Sequence, residues 1–280
     1  MLKSIGQCTA GIRAQQQLLD VTAHNIANVN TVSFKERQVS FYELTYREIA
    51  ERRLPQAGSP VTPPLSGRGV AISNTSPCME QGSPAYTGRN LDLAILGEGF
   101  FRVIRPDGNY AYTRDGGFSL DREGNLTLPG GIRLDPPLNL QEQDGKIDLS
   151  SLSVTPEGII FAPSLVDRAE EPAYLESDDA FAAGMVRLGE IRLYRFINPE
   201  SLSHIGNNLY FPSQASGPPV EGLPGGGEFG HLGQSYLENS NVDLAGQMTA
   251  LIRGQRALQS SSRTLTTADE LWALTLNIQS

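Results

Sequence analysis

The last forty residues of the chain contain an apolar position that repeats every seven residues. Between residues 240 and 278, five large side chains occupy it: Leu244, Leu251, Leu258, Leu265 and Trp272. This spacing is typical of a helix that packs along one narrow face, and Met248 lies on the same side. Gln255, Ser262 and Asp269 fill the equivalent positions further along, so the face is only partly apolar. We therefore predict a long C-terminal helix that needs a packing partner.

The predicted helix contains few strong helix formers. Ser240, followed three residues later by Asp243, resembles the start of a capping box. Gly246, Gly254 and the run 260–267, which is rich in serine and threonine, have low helix propensity, and each glycine costs about 1 kcal/mol relative to alanine. Packing against a neighbour, rather than intrinsic propensity, must stabilise this helix.

A matching pattern lies near the N-terminus. Isoleucine or leucine recurs there every seven residues, at Ile5, Ile12, Leu19 and Ile26. One interpretation is an ordinary helix that faces the core of its own chain. The similar pattern at the other end favours a second interpretation, in which the two terminal helices pack together. Because both apolar faces are incomplete, such a pair would leave surface for copies of the same chain to cover.

The middle of the chain has the composition of a β protein. The sequence contains 29 glycines and 18 prolines, which indicates many tight turns. Strand-like runs occur at residues 91–96 and 100–104. Turn sequences follow at residues 106–109, 121–125, 129–131 and 156–158. Closely spaced turns between strands predict a mainly antiparallel β domain.

Together these patterns predict an α+β fold. Long N- and C-terminal helices would pack together as a coiled-coil-like stalk, with a central, mainly antiparallel β domain. We divide the chain into a terminal helical core domain (residues 1–40 and 238–280), an extended linker (residues 41–75) and a β-rich body (residues 76–237). The linker is placed by the prolines and glycines of residues 55–67.

The charge distribution excludes several classes of partner. The formal net charge is −9, and residues 1–50 carry five basic and four acidic groups, so the acidic excess lies outside this segment. The terminal residues 240–280 carry three of each, which places the excess in the middle. Nucleic acids and anionic membranes require clustered Lys and Arg, so we expect neither as a partner. We expect no membrane insertion and no cleaved signal peptide, because the sequence has neither a long apolar run nor a signal-like start.

Two cysteines are present, and we expect both to be free. Cys8 lies in a helical pattern, whereas Cys78 follows Pro77 in a turn-rich stretch. A single disulfide between them is the alternative. Free cysteines behave as small apolar side chains.

Three blocks of sequence resemble the bacterial flagellar rod and hook protein family. The first ends the N-terminal helix pattern, and Ser33 stands there where the family usually has glycine. Its matching residues are Asn25, Asn28, Asn30, Phe34 and Lys35. The second block lies in the middle of the chain, and its matching residues are Gly99, Phe100, Phe101, Asp107, Gly108, Tyr112, Thr113 and Arg114. Those of the C-terminal block are Ser240, Asn241, Val242, Asp243, Gln255 and Arg256.

The resemblance implies a structural subunit of the flagellar rod, of the type found in its distal part. Such subunits polymerise into a hollow helical shaft that transmits torque to the hook, with the terminal helices on the inside. The implied partners are copies of the chain, proximal rod and hook proteins, the flagellar type III export apparatus and, where an outer membrane exists, the P- and L-ring bushing. The implied location is the basal body. A proximal rod or hook subunit is the alternative within the family.

Evidence for an enzyme is weak in this sequence. His24, His204 and His231 have no second histidine or cysteine at metal-ligand spacing. Residues 121–125 resemble a calcium loop, but Leu126 occupies the position that needs glycine. Acidic pairs such as residues 178–179 keep a peptidoglycan-active or glycan-binding wall protein as an alternative. We predict no catalysis, no metal and no cofactor.

Overall fold

The computed structural model describes residues 2–44, 47–48, 65–66, 69–137, 152–163 and 185–279. It divides the chain into two compact units. The helical unit comprises residues 1–29, 36–78 and 242–280, and the body unit comprises residues 30–35 and 79–241. The chain has one long helix near each end and mainly antiparallel strands between them, which confirms the α+β prediction. Most of residues 140–188 lie outside the described part.

The helical unit contains two helices and four strands. They are α1 (Leu2–Ala27), β1 (Arg37–Glu43), β2 (Arg47–Glu48), β3 (Leu65–Ser66), β4 (Val70–Pro77) and α2 (Leu244–Gln279). The 36 residues of α2 correspond to a length of about 54 Å at 1.5 Å per residue. Among the described residues, no helix is both long and apolar enough to cross a membrane.

Within the described residues, the body unit contains the other sixteen strands. They are β5 (Pro84–Tyr86), β6 (Leu93–Leu96), β7 (Phe100–Ile104), β8 (Tyr110–Thr113), β9 (Ser119–Leu120), β10 (Leu126–Leu128), β11 (Ile132–Leu134), β12 (Ser153–Val154), β13 (Ile159–Pro163), β14 (Met185–Glu190), β15 (Leu193–Arg195), β16 (Ser203–Gly206), β17 (Leu209–Phe211), β18 (Val220–Gly222), β19 (His231–Gln234) and β20 (Tyr236–Glu238). A short 3-10 helix spans Pro199–Ser201.

Strands β1 and β4 of the helical unit pair along their whole length. The antiparallel register runs from Arg37 opposite Pro77 to Glu43 opposite Val70, with an irregularity after Ser40. The range predicted as an extended linker therefore contains parts of two paired strands at its ends. Residues 49–64, where its prolines are densest, lie outside the described residues.

Cys8 and Cys78 are both free, as predicted. Gly69, which precedes β4, lies against Gln7 and Ala10 of α1, one residue from Cys8. Cys78 follows the far end of β4, where its N–H donates to the carbonyl of Glu36. The length of an eight-residue strand, about 26 Å at 3.3 Å per residue, therefore separates the two positions.

One large antiparallel sheet organises the body unit. Its strand order is β16, β17, β8, β7, β11, β10, β9, and β15 joins β7 to β18. Strands β12, β13 and β14 form a three-stranded sheet, while β19 pairs with β6 and β20 pairs with β5. These sheets enclose a core in which Phe101 and Phe118 meet edge to face with 5.4 Å between ring centroids.

Each predicted turn joins two antiparallel strands of the body. Residues 106–109 connect β7 to β8, and residues 121–125 connect β9 to β10. Residues 129–131 connect β10 to β11, and residues 156–158 connect β12 to β13. Each of these four turns contains a glycine with a positive φ angle, which residues with a Cβ adopt at a cost. These glycines are Gly108, Gly124, Gly130 and Gly158.

Helix α2 begins at Leu244, three residues later than a cap at Ser240 would place it. Residues 240–243 are not helical, and Asp243, rather than Ser240, caps the helix. The Asp243 carboxylate accepts hydrogen bonds from the N–H groups of Ala245 and Gly246, each at 3.1 Å. Its carbonyl accepts the first helical bond from Gln247 at 2.9 Å. The predicted capping box was wrong because aspartate itself satisfies the free N–H groups of the first turn.

Replacing Asp243 with alanine should lower the stability of α2 by about 1 kcal/mol, since two N–H groups lose their acceptor. The measurement is the thermal unfolding of the helical circular dichroism signal. Asp243→Asn is the matched control, because asparagine is an equally good cap, and it should unfold like the parent. Equal unfolding of the alanine variant and the parent would contradict the assigned cap.

Candidate assembly surface

Helix α2 turns small residues towards α1. Gly254 is buried, and a Cβ built on it would lie 2.7 Å from Cδ2 of Leu19 and 3.2 Å from Nε2 of Gln15. A side chain at this position of α2 would therefore require Leu19 and Gln15 to move. Leu251 and Leu258, which flank Gly254 on this side, are half-buried.

The predicted apolar positions occupy different environments. Those that are half-buried are Ile12, Leu19, Ile26, Leu251, Leu258 and Leu265. Leu244 and Met248, in contrast, are 40% and 50% exposed. The side chains of Ile5 and Trp272 lie outside the described part of the chain. Among the described side chains of α1, the deepest are those of Ala14, Val21, Thr22 and Asn25, and none of them belongs to the series Ile5, Ile12, Leu19 and Ile26.

A stripe of exposed apolar side chains follows the first turns of α2. Leu244, Met248 and Ile252 recur every four residues, and Ile252 is 51% exposed. Leu271 and Leu274, near the other end of the helix, are also exposed. We call the first three residues the α2 stripe. A row of large apolar side chains in solvent is typical of an interaction surface rather than of a free helix.

The helical unit has a second surface, beside the α2 stripe, against which another helix could pack. A groove of about 710 Å³ lies between α1 and α2, lined on the α1 side by Gln15 and Leu18. Small residues such as Ala250, Gly254 and Ala257 line the α2 side. Small side chains allow the backbone of a packed helix to approach closely, so the helix pair presents both bulky and recessed apolar surface.

Asn25 fixes the junction of α1, β1 and α2. Its side chain exchanges two hydrogen bonds with the backbone of Arg37, at 2.9 and 3.0 Å, and donates to Oε1 of Gln247 at 3.2 Å. Nε2 of Gln247 then donates to the Glu36 carboxylate at 2.9 Å. Asn25 is only 1% exposed, so these bonds satisfy its buried amide. The sequence identified Asn25 from its motif but not this bridging role.

The other signature residues of the first block lie at the end of α1 and within the body unit. Asn28 donates to the carbonyl of His24 at 2.9 Å and ends the helix. Asn30 is exposed. Phe34 and Lys35 are buried in the body unit, to which residues 30–35 belong. Residues 30–35 had been predicted to belong to the terminal helical core domain, within residues 1–40.

Three charged side chains meet inside the body unit. Nζ of Lys35 donates to Oε1 of Glu238 at 2.5 Å, and Nε of Arg114 lies 3.0 Å from Oε2 of the same carboxylate. The N–H of Gly82 also donates to Glu238, at 2.8 Å. All three charged side chains are at most 5% exposed. Glu238 therefore compensates two buried cations, and its loss would leave both without a counter-charge.

Ser33 occupies the turn position at which the sequence resemblance leads one to expect glycine. Ser33 has a φ of 55°, in the left-handed region that a residue with a Cβ occupies at a cost. Its hydroxyl donates to the carbonyl of Arg114 at 2.8 Å, and its N–H donates to the carbonyl of Glu238 at 2.7 Å. Two hydrogen bonds therefore offset the strain, and the substitution preserves the turn.

The central signature residues support the body core. Gly99 has a φ of 140°, and a Cβ there would lie 3.2 Å from Leu193. Phe101 is fully buried, and the hydroxyl of Thr113 donates to the carbonyl of Asn208 at 2.9 Å. Asp107 accepts the N–H of Asn109 in the β7–β8 turn. Packing and turn geometry therefore account for these residues of the central motif.

A cation between aromatic rings anchors a second cluster in the body. The guanidinium of Arg102 lies over the rings of Tyr194 and Tyr110, at 4.2 and 4.9 Å from their centroids, and pairs with Asp135. Burial raises the pKa of the Tyr194 hydroxyl. Burial, together with the charge of Asp92, also raises the pKa of Asp115. We ascribe these shifts to core packing.

Within the described residues, the side chains considered as metal ligands do not converge on one site. In the part of the chain that the structure describes, no three His, Cys, Asp or Glu side chains are placed to hold a metal ion. The ring of His204 meets that of Tyr210 edge to face, and His24 lies on α1. The calcium-like loop is a hairpin turn in which Asp121 accepts the N–H groups of Glu123 and Asn125. The acidic pairs at residues 170–171 and 178–179 lie outside the described residues.

Gly254→Ala should destabilise the helical unit by about 1–3 kcal/mol, because the added methyl group would overlap Leu19. Gly11→Ala is the matched control, since nothing lies within 4 Å of the Cβ position there. The control should gain about 1 kcal/mol from helix propensity. Urea unfolding followed by the helical signal measures both changes. A gain in stability for both variants would show that α1 and α2 do not approach closely at Gly254.

Three family models match separate parts of this sequence. The model described as flagella basal body rod protein matches residues 10–35, and the model of the flagellar hook protein FlgE/F/G D1 domain matches residues 94–162. The model of the flagellar basal body rod FlgEFG protein C-terminal region matches residues 234–278. The first of these covers residues 10–27 of α1, and the last covers nearly all of α2.

Curated proteins match over the full length. The chain is 34% identical over 286 residues to the flagellar basal-body rod protein FlgG of Borreliella burgdorferi, covering 100% of this chain and 99% of that protein. It is 35% identical over 289 residues to the protein of the same name from Bacillus subtilis, and 32% identical over 283 residues to that from Caulobacter vibrioides. Coverage is 100% of both chains in these two comparisons.

Proposed function

The chain belongs to the flagellar basal-body rod protein family, and we propose that it is a structural subunit of the distal rod that polymerises into a hollow helical drive shaft. The observation that carries the proposal is the match along the whole chain to proteins named flagellar basal-body rod protein FlgG. The protein is thus a component of the flagellar basal body, where it assembles with other flagellar proteins.

The exposed apolar surface of α2 supports polymerisation. The three residues of the α2 stripe are at least 40% exposed in the single chain, and a polymer would cover them. We propose that α1 and α2 form a coiled-coil-like stalk on the inside of the shaft. The half-buried positions between the two helices would hold the stalk together, and the stripe would contact a second copy. The body units would form the outer layer and stiffen the shaft that transmits torque to the hook.

The proposal includes the route of export of the subunit and its partners in the basal body. The subunit would leave the cytoplasm through the flagellar type III export apparatus without a cleaved signal peptide. In the basal body it would contact proximal rod and hook proteins and, where an outer membrane exists, the P- and L-ring bushing. We propose no enzymatic activity, since a shaft subunit acts mechanically.

A proximal rod or hook subunit is the second candidate. Two of the matching family models cover hook and rod proteins together. The chain is also 30% identical over 283 residues to the flagellar hook-basal body complex protein FlhP of Bacillus subtilis. We favour the distal rod because the FlgG proteins match with 32–35% identity over the same length.

The proposal is tested by sedimenting the purified protein over a range of concentrations. We expect a sharp threshold above which the protein pellets as polymer, since a helical assembly must first form a nucleus. Incubation with purified peptidoglycan distinguishes a structural shaft subunit from an enzyme that acts on the cell wall. Release of soluble muropeptides, lost on mutation of carboxylates in the body, would overturn the structural assignment. A protein that stays monomeric at every concentration would do the same.

A further inference from the structure

Residues 30–35, which we call the N-terminal strap, are bonded to distant parts of the body unit. Nδ2 of Asn208 donates to the carbonyl of Val32 at 2.6 Å. Ser33 donates to the carbonyls of both Arg114 and Glu238. The strap therefore connects three segments of the body that are separated by about ninety and thirty positions in the sequence.

The strap also completes the buried charge network. Nζ of Lys35 donates to Glu238 and to the carbonyl of Glu80, the latter at 2.6 Å. The N–H of Asn241 donates to the carbonyl of Phe34 at 3.4 Å. Without the strap, the Glu80 and Arg114 carbonyls and the Asn208 amide would each lose a partner, and the space of three buried side chains would be empty. Unpaired buried polar groups and cavities are both strongly destabilising.

The strap enters the body with Ser33 in a left-handed conformation. At a φ of 55°, Ser33 donates its N–H to the carbonyl of Glu238 and its hydroxyl to the carbonyl of Arg114. The body thus depends on a six-residue segment that reaches it from the end of α1, more than forty positions before the rest of the unit begins.

We propose that the N-terminal strap is a latch that closes the body unit, so that the body reaches its folded state only when residues 30–35 are free to enter it. Folding of residues 79–241 is then conditional on the availability of an N-terminal segment. Any partner that holds this segment elsewhere keeps the body open. The inference stands on the contacts within the body unit and does not require that the chain polymerises.

The test replaces residues 30–35 of the full chain with a flexible glycine–serine segment of equal length. We expect the near-ultraviolet circular dichroism of the buried tyrosines to be lost, together with the protection of the Ile191 amide against hydrogen exchange. Ile191 is a suitable reporter because it is fully buried and donates to the carbonyl of Gly158 at 2.7 Å, away from the strap. A synthetic peptide of residues 28–37, added at up to millimolar concentration, should restore both signals saturably.

The matched control is the same peptide with Lys35→Met, which should need at least about tenfold more peptide because a buried charged hydrogen bond is lost. In the intact chain, the milder variant Ser33→Ala should lower the protection of the Ile191 and Gly82 amides by the same factor, about fivefold for one hydrogen bond. The proposal is overturned if the strap-replaced chain keeps Ile191 protected, or if the peptide restores nothing. It is also overturned if Ser33→Ala affects Gly82 alone.

Discussion

Replacing Glu238 with glutamine is expected to lower the free energy of unfolding of the body unit by about 3–5 kcal/mol, the usual cost of breaking a buried ion pair. The variant would leave Lys35 and Arg114 buried together without a counter-charge. Neither cation can reach solvent, since both side chains are at most 5% exposed. Urea unfolding of the full chain, followed by the near-ultraviolet signal of the body tyrosines, measures the loss.

The double variant Glu238→Gln/Lys35→Met provides the control. It removes one buried cation along with the carboxylate, so it should be more stable than Glu238→Gln alone. The comparison identifies uncompensated charge as the cause rather than a general loss of packing. A loss below about 1 kcal/mol for the single variant, or a double variant that is less stable still, would contradict the electrostatic role of Glu238.

The second large effect is expected on assembly. Ile252→Asp should abolish polymerisation while the single chain unfolds as the parent does. Ile252 is 51% exposed, so a carboxylate there remains hydrated in the monomer. In a packed interface the same charge would lose its water, which costs several kcal/mol unless it is neutralised. Because that cost recurs at every subunit contact, polymer should disappear from the sedimentation assay.

Two variants make this test specific. Leu251→Asp changes the neighbouring residue, which is half-buried on the side of α1, and should destabilise the monomer as well. Gln17→Asp adds the same charge at an exposed polar position of α1 and should leave monomer stability unchanged. If Ile252→Asp polymerises at the threshold concentration of the parent, the α2 stripe is not part of the interface.

Local sequence chemistry predicted much of this fold. The strand runs and four turns of the body were found because glycine, proline, asparagine and aspartate have strong conformational preferences within a few residues. The two terminal helices were found because apolar side chains repeat along them. The cap of α2 was misplaced by three residues, since Ser240 and Asp243 both suit that role and the sequence does not show which N–H groups are free.

Long-range features were not predictable in the same way. No pattern links Lys35 to Glu238, which lie 203 positions apart, and a lysine after an asparagine-rich turn is normally solvated. Asn25 was identified only as a residue of a family motif, and nothing in the sequence showed that its amide is buried against Gln247 of α2. A seven-residue repeat also could not show which side of α2 faces α1, so it did not separate Leu251 from the exposed Met248.

Electron microscopy of the purified full-length protein above its threshold concentration tests the central claim most directly. We predict straight, hollow rods with helical symmetry from the parent and none from Ile252→Asp at the same concentration. Averaged images should place the α2 stripe of each subunit against a neighbouring copy. Featureless aggregates, closed small oligomers, or rods in which α2 faces solvent would contradict the assignment of this chain as a shaft-forming subunit.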